Sequence, residues 1–98
     1  MKVVAVTACT TGIAHTYMAA EQLEKAAKEL GHEIKVETQG AMGIENEISD
    51  ADVSAAQAVI IAADIEVEGR ARFERLKRIE VPLQEAIKNP KGVFAKIG

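Results

Sequence analysis

The sequence predicts an α/β fold in three layers: a doubly wound, four-stranded parallel sheet with strand order 2-1-3-4 and helices on both faces. Three observations carry that reading. Residues 3–6 and 58–63 are apolar without interruption, as strands buried on both faces are. Elsewhere the apolar residues recur every three or four positions, the period of a helix with one buried face. Strand candidates also alternate with helix candidates, as parallel crossovers require. The chain has 98 residues, enough for one hydrophobic core, so residues 1–98 are read as a single domain.

Val3, Val4, Ala5 and Val6 begin the central strand, which runs toward Cys9, the only cysteine. From about Thr16 the period changes, with Ala19, Leu23, Ala26, Ala27 and Leu30 on one side and Glu21, Gln22, Lys25, Lys28 and Glu29 on the other. Glu21 with Lys25 and Glu24 with Lys28 are acid-then-base pairs, each adding roughly 0.2–0.5 kcal/mol to the helix. Gly31 suits its C-terminal cap. Ile34 and Val36 then alternate with Lys35 and Glu37, predicting an edge strand over 32–38 with one solvated face. Residues 39–43 form a glycine-punctuated loop. Ser49 is placed to cap a short helix with Asp50 and Asp52 in its first turn and Val53, Ala55 and Ala56 on its buried face. Glu45, Glu47, Asp50 and Asp52 lack the spacing of a calcium loop and read as a solvated helix start. Asp64 ends the second apolar strand. Five of the nine residues 70–78 are basic, Arg70, Arg72, Arg75, Lys77 and Arg78, either a solvated helix surface or a patch that steers an acidic partner. Residues 79–81 form the fourth strand and Pro82 follows. Leu83, Ala86 and Ile87 mark a short helix broken at Asn89-Pro90, and residues 92–98 are a last helical turn or the start of a linker.

The chemistry concentrates between Cys9 and Thr16. This stretch joins the carboxyl end of a buried strand to the amino end of a helix, where backbone N–H groups and the helix dipole favour an anion, thiolate or phosphate. Gly12 admits backbone shapes that other residues resist, and Thr7, Thr10, Thr11 and Thr16 supply hydroxyl donors. Such a loop suits a phosphoryl group carried on the Cys9 sulfur. The competing reading makes Cys9 a small buried core residue. Against it, five of the seven residues 10–16 are polar or glycine. In the order 2-1-3-4, ligands sit outside the strand ends where the winding reverses, which brings Asp64 next to Cys9. Asp64 then either orients the loop by accepting N–H bonds or caps the next turn. Gln39 and Gly40 are read either as plain turn residues or as support for the loop.

Composition excludes other classes. A net charge of −3 is not the basic footprint of a general nucleic-acid binder. One cysteine makes no internal disulfide and fits a reducing compartment. No apolar run approaches the roughly 18–20 residues that span a bilayer, and the start lacks a signal-peptide pattern. One Cys and two separated His do not make a metal site, and no cofactor is expected.

The run Val4-Ala5-Val6-Thr7-Ala8-Cys9-Thr10-Thr11-Gly12-Ile13-Ala14-His15-Thr16 resembles the active-site signature of the fructose-type IIB domain of the bacterial phosphoenolpyruvate-dependent sugar phosphotransferase system. Val36-Glu37-Thr38-Gln39-Gly40, Gly43-Ile44-Glu45-Asn46, Ala62-Ala63-Asp64 and Arg72-Phe73 fit the same pattern in order and spacing, so the likeness spans residues 1–87. One position departs from it: the family usually has proline after the cysteine, where Thr10 restores an N–H and gives up the fixed φ. The resemblance implies a similar fold and a phosphotransferase in which Cys9 takes a phosphoryl group from a phosphohistidine on a IIA domain. Cys9 then passes it to a sugar, by default fructose, held in a membrane-embedded IIC domain. That places the chain in the cytoplasm, at the inner face of the membrane through IIC, without inserting itself. Thr10, Thr11, Gly12, Ile13, Ala14, His15 and Thr16 become the phosphate-binding loop. A cation opposes the positive helix end, so His15 is read as a hydrogen-bond donor or a cap. Two other readings stand beside this one. A low-molecular-weight cysteine phosphatase needs an arginine six positions after the cysteine to clamp phosphate, and His15 stands there. A non-catalytic, flavodoxin-like regulatory module would bind an anion or a partner and keep its function without Cys9.

Overall fold

The computed structural model describes residues 1–9, 13–40 and 43–97. Five strands form the sheet: β1 (Lys2–Ala8), β2 (Glu33–Gly40), β3 (Gly43–Glu45), β4 (Ala58–Ala63) and β5 (Lys77–Val81). The helices are α1 (Ile13–Leu30), α2 (Asp50–Ala55), α3 (Leu83–Lys88) and α4 (Pro90–Ala95), with a 3-10 helix at Arg70–Phe73. The sheet order is β3-β2-β1-β4-β5. β1 pairs in parallel with β2 and β4, β4 pairs in parallel with β5, and β3 runs antiparallel to β2.

The four-stranded sheet expected from the sequence is therefore corrected to five strands. The parallel strands keep the relative order read from the sequence, and β3 adds an antiparallel edge beside β2. All three β3 residues are exposed, so no burial pattern announces that strand. Gly43, at φ +92°, takes a conformation open to glycine where the chain reverses. Gln39 and Gly40, expected in a loop, are the last residues of β2, while Ala41 and Met42 lie outside the described residues. β2 is accordingly not the sheet edge.

Alternation along β1 divides the core. Val3, Ala5 and Cys9 join Ala19, Leu23, Ala26 and Ala27 of α1 and Leu83, Ala86, Val93 and Phe94 of α3 and α4. Val4, Val6 and Ala8 join Ile48, Val53, Val67 and Phe73 on the opposite face. The alanine stripe lets α1, which begins three residues earlier than its periodicity indicates, lie close to the sheet. Gly31, at φ +79°, stands just past its end as expected.

The second face is covered where the sequence reading left it solvated. Ser49 accepts a hydrogen bond from Asp52 N at 3.1 Å, and its own N–H donates to Asp52 Oδ2 at 2.9 Å, a reciprocal cap that starts α2. Lys35 Nζ reaches the same Oδ2 at 2.8 Å, tying β2 to α2. Those bonds hold the Asp52 carboxyl well below the usual carboxylate range, with Lys35 the first cause and Ser49 the next. Glu37 is completely buried, bonded by Arg72 of the 3-10 helix and by Ile48, which precedes α2. Of the two readings of 70–78, a continuous helix surface does not hold, since the 3-10 helix ends at Phe73 and β5 begins at Lys77. At the far end, Asn89 Oδ1 accepts from Gly92 N at 3.3 Å and Pro90 stands at the first position of α4, so the segment after the break is helical. Glu33 N donates to Met1 O at 2.9 Å, and Lys77 Nζ donates to Ile97 O at 2.6 Å.

Candidate functional site

Cys9 follows β1 directly and is 4% exposed. β1 lies between β2, reached over one sheet face by α1, and β4, reached over the other by α2. The cysteine thus stands outside the carboxyl ends of the strands at the point where the winding reverses, the usual ligand position of an open α/β sheet. The amino end of the 18-residue α1 begins four residues later. Thr10, Thr11 and Gly12 lie outside the described residues, as does the Ile13 side chain. Ala14 and His15 are exposed on the first turn of α1, and Thr16 is buried. Thr7 Oγ1 donates to Thr16 O at 3.2 Å, fastening that turn to β1.

The structure brings Asp64 to the cysteine. Its backbone N–H donates to Ala8 O at 3.2 Å, its Oδ1 accepts from Leu83 N at 3.2 Å, and its Oδ2 lies 4.0 Å from Cys9 Sγ as the acceptor of the thiol. Asp64 thus contacts the thiol of Cys9 and caps the first turn of α3 instead of the turn that follows it, while the loop N–H groups of residues 10–12 lie outside the described residues. The Leu83 contact had no sequence signal, because the turn that delivers it is nineteen residues away.

Gln39 serves a different segment. Its amide donates to Glu37 Oε2 at 2.7 Å and to Glu68 O at 2.9 Å, and accepts from Glu68 N at 2.8 Å. It shares the sheet face of Ala8 and Glu37, opposite that of Cys9. Gly40 is nearer the cysteine loop: a methyl group there would meet Thr16 Oγ1 at 3.6 Å, an ordinary contact, so space alone does not require glycine.

Beneath Gln39 lies an ion pair. Arg72 Nη1 and Nη2 donate to the two Glu37 oxygens at 2.9 and 3.0 Å, while Ile48 N donates to Glu37 Oε1 at 2.8 Å. Burial alone would push the Glu37 carboxyl up, but the bonds from Arg72, Ile48 and Gln39 together hold it below the ordinary glutamate range. The Arg72 guanidinium also donates to Gly69 O, Ile48 O and Glu68 O at 2.9, 2.9 and 3.2 Å and lies 4.7 Å from the Phe73 ring centroid. Arg70 is engaged as well, with Glu66 at 2.9 Å and Glu80 at 2.8 Å. The 70–78 cluster is therefore no uniform basic surface. Tyr17 of α1 donates to Glu45 of β3, and that bond pushes the Tyr17 hydroxyl up. None of the described helices is long and apolar enough to cross a membrane.

Comparison with known proteins places this arrangement. The family described as PTS system, Lactose/Cellobiose specific IIB subunit matches residues 4–96. The PTS system fructose-like EIIB component 2 of Escherichia coli strain K12 is 48% identical over 98% of this chain and 91% of its own length. The Fructose-like PTS system EIIBC component of the same strain is 46% identical over 99% of this chain, which spans 20% of that longer protein. Among solved structures, a domain of the fructose-specific IIABC component from Borrelia burgdorferi superposes with a TM-score of 0.94 at 42% identity, covering 98% of this chain and 91% of that one. The lactose/cellobiose description and the fructose-like names differ in sugar and agree on the component. The chain belongs to the IIB family of the phosphotransferase system, as a fructose-type IIB domain, a phosphotransfer domain of sugar uptake.

Proposed function

We propose that Cys9 is the phosphocarrier. It takes a phosphoryl group from a phosphohistidine on a IIA domain and delivers it to a fructose-like sugar presented by a IIC domain. In the first step the Cys9 sulfur attacks phosphorus in line, the P–N bond to the donor imidazole breaks and a P–S bond forms. The thiol proton ends on the departing imidazole. In the second, a sugar hydroxyl attacks phosphorus, the P–S bond breaks, and the hydroxyl proton returns to sulfur. Backbone N–H groups at the start of α1, with residues 10–16 as the loop, stabilise the equatorial oxygens in transfer and the thiophosphate afterwards.

The observation that supports this most is the position of Cys9 at the reversal point, four residues before the amino end of α1. The EIIBC relative, whose name joins the two components in one protein, favours a IIC domain as acceptor and hence work at the inner face of the membrane. A phosphatase is less well supported, because His15 stands where that chemistry needs an arginine and both Arg70 and Arg72 are committed to carboxylates.

Intact mass after incubation with phosphoenolpyruvate, enzyme I, HPr and a fructose-type IIA protein tests the reading. The native chain is expected to gain one phosphoryl group, and Cys9→Ser none. Equal gain in both chains, or gain in neither, would overturn Cys9 as carrier.

A further inference from the structure

We infer that the Asp64 carboxylate sets how readily the phosphorylated cysteine gives up its phosphoryl group, by favouring the bare thiol over phosphocysteine. This rests on the carrier reading of Cys9. Asp64 is fixed at three points: its N–H on Ala8 O, its Oδ1 on Leu83 N, and its Oδ2 toward Cys9 Sγ at 4.0 Å. In the resting chain the sulfur is a donor and the carboxylate accepts from it, a contact that stabilises the unphosphorylated form. Phosphorylation removes that proton and replaces it with a group carrying about −1.5 to −2 charge. The favourable contact becomes a repulsive one.

The two halves of the site then act in opposite senses. The amino end of α1 attracts the phosphoryl group and secures its capture. Asp64 raises the energy of the captured state and so limits how tightly it is held. A carrier needs both, since a thiophosphate bound only by attractive groups would be passed on slowly. Asp64 is not consumed. It forms no bond to phosphorus, and the reaction balances without it: phosphohistidine and thiol become histidine and phosphocysteine.

Asp64→Asn isolates the charge, because Oδ1 still accepts from Leu83 N while the negative charge is lost. The ratio of phosphocysteine to thiol is read by intact mass at equilibrium with a fixed ratio of phosphorylated to unphosphorylated IIA. Asp64 is exposed to solvent, which screens the repulsion, so the expected shift toward phosphocysteine is roughly three- to tenfold. The phosphocysteine of the variant should also pass its group to acceptor more slowly, and 1 M salt should narrow the difference. Asp64→Ala, neutral and without the amide donor that Asn presents to the phosphoryl group, is expected to shift in the same direction. A ratio within twofold of native in the folded variants, or a shift toward the thiol, overturns the inference while leaving the carrier reading intact. A native chain that takes no phosphoryl group overturns both.

Discussion

Arg72 shows how much one side chain organises. Its guanidinium spends its donors on a fully buried carboxylate and three backbone carbonyls. Removing it leaves Glu37 buried without a counter-charge, so Arg72→Met is expected to lower unfolding stability by about 3–5 kcal/mol in urea titration. The same pair fixes a pH dependence. The Glu37 carboxyl is held down in the folded chain, so the unfolded chain binds more protons as pH falls. Its contribution is fully present above about pH 5 and is lost as pH drops through the folded value. Asp52 shifts in the same direction. The urea midpoint should therefore decline below about pH 5, and Glu37→Gln, measured over the same range, should show a shallower decline. The network was not legible in the sequence. Alternation said that Lys35 and Glu37 share a face, but Ile48 and Arg72, which seal that face, lie 11 and 35 residues from Glu37. Cys9 and Asp64 were legible, because each ends a continuous apolar run and strand order alone brings such ends together.

Elements with their own local signals stand where the sequence puts them, although Leu30 of α1 and Ala55 of α2, expected on buried faces, are exposed, whereas β3 has no signal outside its pairing. α2 shows the first kind. Ser49, Asp50 and Asp52 announce a capped first turn, and the structure contains the reciprocal cap. Ser49→Ala is expected to cost about 1 kcal/mol, and a thermal melt should fall by roughly 4–8 °C in a domain of this size. Asp52 keeps its Lys35 contact in that variant, so β2 and α2 should stay joined and the fold should persist. β3 shows the second kind, three exposed residues made a strand only by hydrogen bonds to β2. The basic run 70–78 was open between a helix surface and a partner-steering patch for a related reason: its charges do not show that Phe73 is drawn wholly into the core and that Lys77 starts a strand, which divides the run.

At the scale of the whole molecule, the sheet separates a larger core under α1, α3 and α4 from a smaller one under α2 and the 3-10 helix. Leu23 is fully buried in the first, among alanines too small to fill a void. Leu23→Ala is expected to destabilise by roughly 2–5 kcal/mol, seen as a lower urea midpoint with unchanged native circular dichroism. The parallel topology was readable because apolar strands and amphipathic helices alternate. The sheet also sets where the ends of the chain lie. Met1 O is bonded to Glu33, the first residue of β2, and Ile97 O to Lys77, the first residue of β5. Both ends therefore sit at the amino edge of the parallel strands, while Cys9 sits at the carboxyl edge, about 20 Å away along seven residues of β1. A tether attached at either end would hold the domain from behind, raising the local concentration of whatever it is tethered to while the cysteine edge of the sheet faces away from the tether.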